Sequence, residues 1–86
     1  MKIIYTKHAE VKFKIFKRLG WNLTKRKISI TIKNPRWKGK SRFGQETAMS
    51  LINKKHILRV IFDRETDTIK VITFHPARKG TYECTL

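Results

Sequence analysis

The chain has 86 residues, with 21 Lys and Arg against 6 Asp and Glu, and a formal net charge of +15. That length supports one modest core and not two; the periodic apolar runs exclude a disordered chain, and no apolar stretch approaches the ~20 residues of a membrane helix. Residues 1–86 are therefore expected to form a single cytoplasmic domain, with no secretory leader in Met1-Lys2-Ile3-Ile4-Tyr5 and no internal disulfide, since Cys84 is the lone cysteine.

Met1 to Tyr5 reads as a first strand. Thr6 is placed to cap a helix, with Glu10 in the first turn, where the helix dipole favours an acid. Val11, Ile15 and Leu19 recur at i, i+4 and i+8 and predict its buried face, with Lys7, Lys14 and Arg18 opposite and Gly20 as the stop. His8 falls on that apolar side and reads as a packing residue. A second helix follows, capped by Thr24, with Leu23 and Ile28 as a hydrophobic staple, Ile28 and Ile32 on one face, and Asn34-Pro35 as its end. Lys25, Arg26 and Lys27 fill its first turn, where cations oppose the dipole. A bound phosphate would reverse that penalty; the alternative is that all three are solvated.

Pro35 to Gly44 is expected to be a loop in which Arg36, Lys38, Lys40 and Arg42 alternate with Trp37 and Phe43. Cations hold a phosphate backbone and aromatics stack on bases without demanding a sequence; alternatively the two aromatics fold back on the core. Three strands follow: Gln45 to Ile52, then His56 to Phe62 after an Asn53-Lys54-Lys55 turn, then Thr68 to His75 after a polar turn at 63–67. The last alternates Ile69, Val71 and Thr73 against Lys70, Ile72 and Phe74, and Pro76 is expected to end it. A tail, Ala77 to Leu86, carries Arg78, Lys79 and Tyr82. The expected order is β-α-α-β-β-β, an α+β domain with two N-terminal helices packed on an antiparallel sheet. The central strands are apolar on both sides, which points to a second face that is partly covered or forms a cleft.

The charge is uneven. Residues 1–43 hold 14 basic and 1 acidic residue, +13, and residues 44–86 hold 7 and 5, +2. A thermophile's lysine-rich surface would be balanced by glutamate; this one is not, and its self-repulsion is best relieved by a polyanion, of which RNA is the first candidate. No phosphate-binding glycine loop, dinucleotide fingerprint or nucleophile elbow is present. His8, His56 and His75 lie far apart in sequence and the acids are few, so neither a metal nor a cofactor is expected.

The stretch Tyr5-Thr6-Lys7-His8-Ala9-Glu10, the two short helices, His56-Ile57-Leu58-Arg59-Val60-Ile61-Phe62 and Val71-Ile72-Thr73-Phe74-His75-Pro76 resemble a small prokaryotic family. It has an N-terminal His-Ala, usually a basic residue three positions after the Ala, and a terminal Val-Thr-x-x-Pro strand. Element order, size and charge look like the wider RelE/ParE toxin superfamily. The resemblance implies a RelE-like fold and a toxin of a toxin–antitoxin pair. Its activity would be that of a metal-independent endoribonuclease (an mRNA interferase), acting on RNA, including ribosome-bound mRNA, and held by a small acidic antitoxin. The positions that match the superfamily's catalytic set are Glu46, Arg59, His75, Arg78 and Tyr82. Cleavage by the RNA's own 2′-OH needs a base, for which Glu46 or His75 would serve. It needs cations for the phosphorane, Arg59 and Arg78, and an acid for the 5′-oxygen, Tyr82 or His75. Lys25, Arg26, Lys27, Arg36, Trp37, Lys38, Arg42 and Lys79 are the candidate nucleic-acid contacts. The duller readings are a Glu46–Arg59 pair across the hairpin, His75 as a strand terminus and Tyr82 as an anchor for the tail. The alternative functions are a non-catalytic nucleic-acid-binding module of the same fold, or a basic protein binding an acidic protein partner.

Overall fold

Thr6 sets where the first helix begins and ties it to the sheet. Its hydroxyl oxygen accepts from the backbone N–H of Ala9 at 3.1 Å and donates to the carbonyl of Ile72 at 2.8 Å. In the computed structural model, which describes residues 2–82, the order is β1 (Lys2–Tyr5), α1 (Lys7–Arg18), α2 (Lys25–Lys33), β2 (Trp37–Lys40), β3 (Glu46–Leu51), β4 (His56–Arg64) and β5 (Thr68–Arg78). Met1 of the expected first strand and Cys84 lie outside the described residues. Thr24 caps α2 by accepting from Lys27 N–H at 3.2 Å, and Leu23 and Ile28 on either side of it are buried. Asn53 Oδ1 closes the β3–β4 turn by accepting from the N–H groups of Lys55 and His56 at 2.8 and 2.9 Å. No described helix is long and apolar enough to cross a membrane.

The fold is α+β, and its sheet departs from the expected antiparallel β-α-α-β-β-β form in two ways. The segment expected as a loop, Pro35–Gly44, contains β2, so four strands follow the helices, and β1 pairs parallel with β5. The five strands lie in the order β1-β5-β4-β3-β2, and the sheet is mixed. Lys and Gly are poor strand formers, so Trp37-Lys38-Gly39-Lys40 carries little local strand signal. It becomes a strand because the β3 edge supplies a ladder, with Trp37 opposite Met49 and Lys40 opposite Glu46.

Both helices lie on one face. Ile28 and Ile32 of α2 and Ala9 of α1 join Ala48, Leu58, Val60, Phe62, Ile69, Val71 and Phe74 in one core. The expected burial of Val11, Ile15 and Leu19 is reversed: they are 46, 44 and 67 % exposed. The helix instead turns Ala9, Phe13 and Phe16 inward, with the Phe13 and Phe16 rings 4.6 and 5.8 Å from that of Phe74. Packing of the two phenyl rings against Phe74 stabilises this roll of the helix. His8, expected to pack, is exposed.

A β-bulge corrects the last strand. The β4–β5 register slips between Ile61, opposite Thr73, and Phe62, opposite Val71, leaving Ile72 as the extra residue. Phe74 thereby joins Ile69 and Val71 on the core side, where strict alternation would put it opposite them. Pro76 does not end the strand; it pairs with Leu58 and β5 runs on to Arg78. The β1 register stops at Val71, so that side of Pro76 needs no N–H.

Candidate nucleic-acid interface

The face away from the helices carries a cross-strand row. Trp37 lies opposite Met49, Met49 opposite Arg59, and Arg59 opposite His75, one residue from each of β2 to β5. At about 4.8 Å per strand the row spans roughly 14 Å. Met49 and Ile57 on this face are buried, so the polar groups stand on an apolar floor.

Arg59, His75 and Tyr82 form the centre. The Arg59 guanidinium carbon lies 4.2 Å from the centroid of the Tyr82 ring, and its Nη1 lies 3.4 Å from His75 Nε2. The His75 and Tyr82 rings meet edge-on at 5.6 Å. An arginine only donates, so Nε2 of His75 accepts; its Nδ1 then carries the proton and donates to the Pro76 carbonyl at 3.3 Å. Burial holds His75 below the ordinary histidine value; the Pro76 carbonyl opposes that shift, and the charges of Arg59 and Lys12 add to it. His75 is therefore a neutral imidazole at pH 7, with its lone pair aimed at a guanidinium.

Trp37 ends the row on β2, with the Arg36 guanidinium 5.1 Å from its ring. At the β2–β3 hairpin tip Phe43 is 77 % exposed, with Arg42 5.0 Å from its ring. Ser41 Oγ accepts from the N–H of Phe43 and Gln45 there, and Gly44 takes φ +81°, which a side chain would disfavour. Neither aromatic joins the main core. No protein-family model, no curated protein and no solved structure matches the chain.

The other expected site residues do not meet at this centre. Glu46 lies opposite Phe62, on the helix side of the sheet, and its carboxylate pairs with Arg64 Nε at 3.1 Å rather than with Arg59. Arg78 lies opposite His56 and alternates onto the same side as Phe74 and Pro76. Lys25 is held by Glu10 at 3.0 Å and lies 5.0 Å from the Tyr5 ring. Arg26 and Lys27 are exposed on the helix layer, away from Arg59. Lys38 alternates with Trp37 and lines a groove of about 590 Å³ on the helix side, floored by Ile32, Ala48 and Phe62. That groove shares no lining residue with the Arg59 centre. Lys79 is exposed beyond β5, with its N–H on the Lys55 carbonyl at 2.8 Å.

Sequence reasoning missed Met49 as the floor between Trp37 and Arg59, and Lys12 as a charge acting on His75. Strand register, which no local pattern discloses, decides what lies beside Met49.

The state of His75 gives a pH prediction. Its value in the fold lies below the ordinary 6.5, so the unfolded chain takes up the proton first as pH falls. The stability that neutral His75 contributes is complete above about pH 6.5 and is lost as pH drops through that value toward the folded one. Urea midpoints for the wild type and His75→Gln should converge or cross as the buffer goes from about pH 7.5 to about pH 5.5, with the wild type losing more. Parallel curves would contradict the assignment.

Proposed function

We propose that the chain is a toxin-like protein that binds single-stranded RNA on the sheet face opposite its helices. The observation that carries this reading is the Arg59 guanidinium held between the Tyr82 ring and His75, in line with Trp37 across four strands. A guanidinium meets phosphate oxygens with a planar fork. Trp37, Phe43 and Tyr82 offer surfaces for bases, and such stacking tolerates any sequence. Sheets of this width with aromatic faces hold two or three bases in RNA-binding domains of other folds. The charge of +15 supplies the long-range attraction. The RelE-like reading of the fold and an acidic antitoxin as natural partner belong to the same proposal.

A second reading, metal-independent cleavage, is favoured by the neutral His75. With Arg59 turned onto the phosphate, His75 Nε2 is free to take the 2′-OH proton as the 2′-oxygen bonds to phosphorus. The 5′-oxygen leaves with a proton supplied by Tyr82, and a 2′,3′-cyclic phosphate remains. Glu46 and Arg78 have no part in this version.

The test is incubation of labelled single-stranded RNA with wild type, Trp37→Ala and His75→Ala in EDTA, reading anisotropy and products. Trp37→Ala should weaken binding about tenfold, from stacking worth ~1–3 kcal/mol per base. Cyclic-phosphate ends that disappear in His75→Ala would support cleavage. Binding without products would leave a non-catalytic module, and neither binding nor products would refute both readings.

A further inference from the structure

A groove of about 590 Å³ crosses the helix side of the sheet at the end where β3 begins and β4 finishes, and the RNA site does not use it. No residue of α1 lines it, and α2 contributes only Ile32 and Lys33 from its last turn. Ile32, Ala48, Phe62 and Ile69 make its floor, with Ile3 of β1 and Pro35 before β2 half-buried at its margins. The lining thus reaches from β1 to β2, roughly 19 Å at about 4.8 Å per strand. Four cations border this apolar strip, Lys33, Lys38, Lys40 and Arg64, against one carboxylate, Glu46. That carboxylate is held by Arg64 at 3.1 Å, whereas Lys33, Lys38 and Lys40 have no ion pair among the described residues. Lys38 and Lys40 stand on the same side of β2, two residues and roughly 7 Å apart, and both are exposed.

We propose that this groove binds a small amphipathic anion, an unbranched aliphatic chain ending in a carboxylate or a phosphate. The chain lies along the apolar floor, and the head group sits between Lys38 and Lys40, with Lys33 adding its charge from the end of α2. A concave, mostly apolar lining with a few placed charges is the usual form of a small-molecule site. The chain supplies apolar surface without hydrogen-bonding groups, which suits a floor of Ile, Ala and Phe side chains. A nucleotide fits less well: Phe62 is the only aromatic ring in the lining, and at 3 % exposure it offers almost no face for a base to stack on. A cationic amphiphile is repelled by Lys33, Lys38 and Lys40. The groove shares no lining residue with the Arg59 centre, so this site is independent of the RNA reading.

The test titrates the ¹⁵N-labelled full chain with octanoate, decanoate and dodecanoate, each below its micellar concentration, and reads amide shifts. Decanoate should bind saturably, with shifts at Ile3, Ala48, Phe62 and Ile69. Each added methylene should tighten binding by up to about fourfold. Decyl phosphate in the same titration identifies which anionic head the lysines prefer. A Lys38→Glu, Lys40→Glu double variant, changed only at exposed positions, should weaken decanoate about tenfold or more. Lys14→Glu with Arg18→Glu makes the same change in net charge on α1, outside the groove. It should leave the affinity within about twofold in ~0.1 M salt, where distant charges are screened. Equal losses in the two double variants, affinity independent of chain length, or shifts centred on Arg59 would each overturn the proposal. So would binding of decyltrimethylammonium or uridine monophosphate as tight as that of decanoate.

Discussion

Arg59→Ala should lower the affinity for single-stranded RNA about 10- to 100-fold and reduce the slope of log affinity against log salt by about one, with the fold intact. The size follows from a charge-assisted hydrogen bond, worth ~1.5–3 kcal/mol, at the middle of the cross-strand row. The change in slope follows from one fewer phosphate neutralised. Arg59 is only partly buried and, like Tyr82, stands outside the core cluster, so little of the core depends on it. Arg59→Lys should fall between the two, since an ammonium keeps the charge and loses the planar stack on Tyr82. Salt-dependent anisotropy checks each step. If Arg59→Ala matched the wild type in both affinity and slope, the interface would have to lie elsewhere, and Arg26 and Lys27 at the start of α2 would be next to test.

Phe74→Ala should destabilise the domain by about 3–5 kcal/mol, the range for a buried phenylalanine replaced in a core. Phe74 has no exposed surface and meets both Phe13 and Phe16, so its loss opens a cavity between β5 and α1. Ile72→Ala should cost far less, about 1 kcal/mol, because Ile72 is the bulged residue and only partly buried. Its contribution to the fold is chiefly a backbone carbonyl, which accepts from Thr6 whatever the side chain. Urea unfolding of both variants decides the matter. An Ile72 effect as large as that of Phe74 would contradict the bulge, because strict alternation would put both side chains on the same face.

Arg59 and His75 are visible as residue types in the sequence, while their juxtaposition is a property of the fold. Arg59 was identifiable as a basic residue between Ile57 and Ile61, and His75 as the last residue before Pro76. Their adjacency was not, because it depends on a register that a bulge shifts by one. Glu46 illustrates the converse. It stands near Arg59 in the hairpin by sequence, yet it sits opposite Phe62 and pairs with Arg64 on the other face. The parity of a strand pair admits no intermediate, so one step of register moves a carboxylate through the sheet.

What the sequence determined by itself is what local hydrogen bonding enforces. Thr6 and Thr24 cap helices by accepting from an N–H three residues on, Gly20 takes φ +87° after α1, and Asn53 closes its turn within three residues. The excess of positive charge is likewise a property of composition. The tertiary structure decided which of two apolar faces of α1 is buried, that 37–40 becomes a strand, and which charged groups share the face with Trp37. Each of these is a competition between distant surfaces. The two faces of α1 are both periodic, and the Phe74 ring on β5 makes Phe13 and Phe16 the side that packs inward. Trp37 to Lys40 has no strand preference until the open edge of β3 offers its ladder. Local pattern settles the elements because their bonds close within a few residues; area and register settle the site because both exist only once remote strands have met.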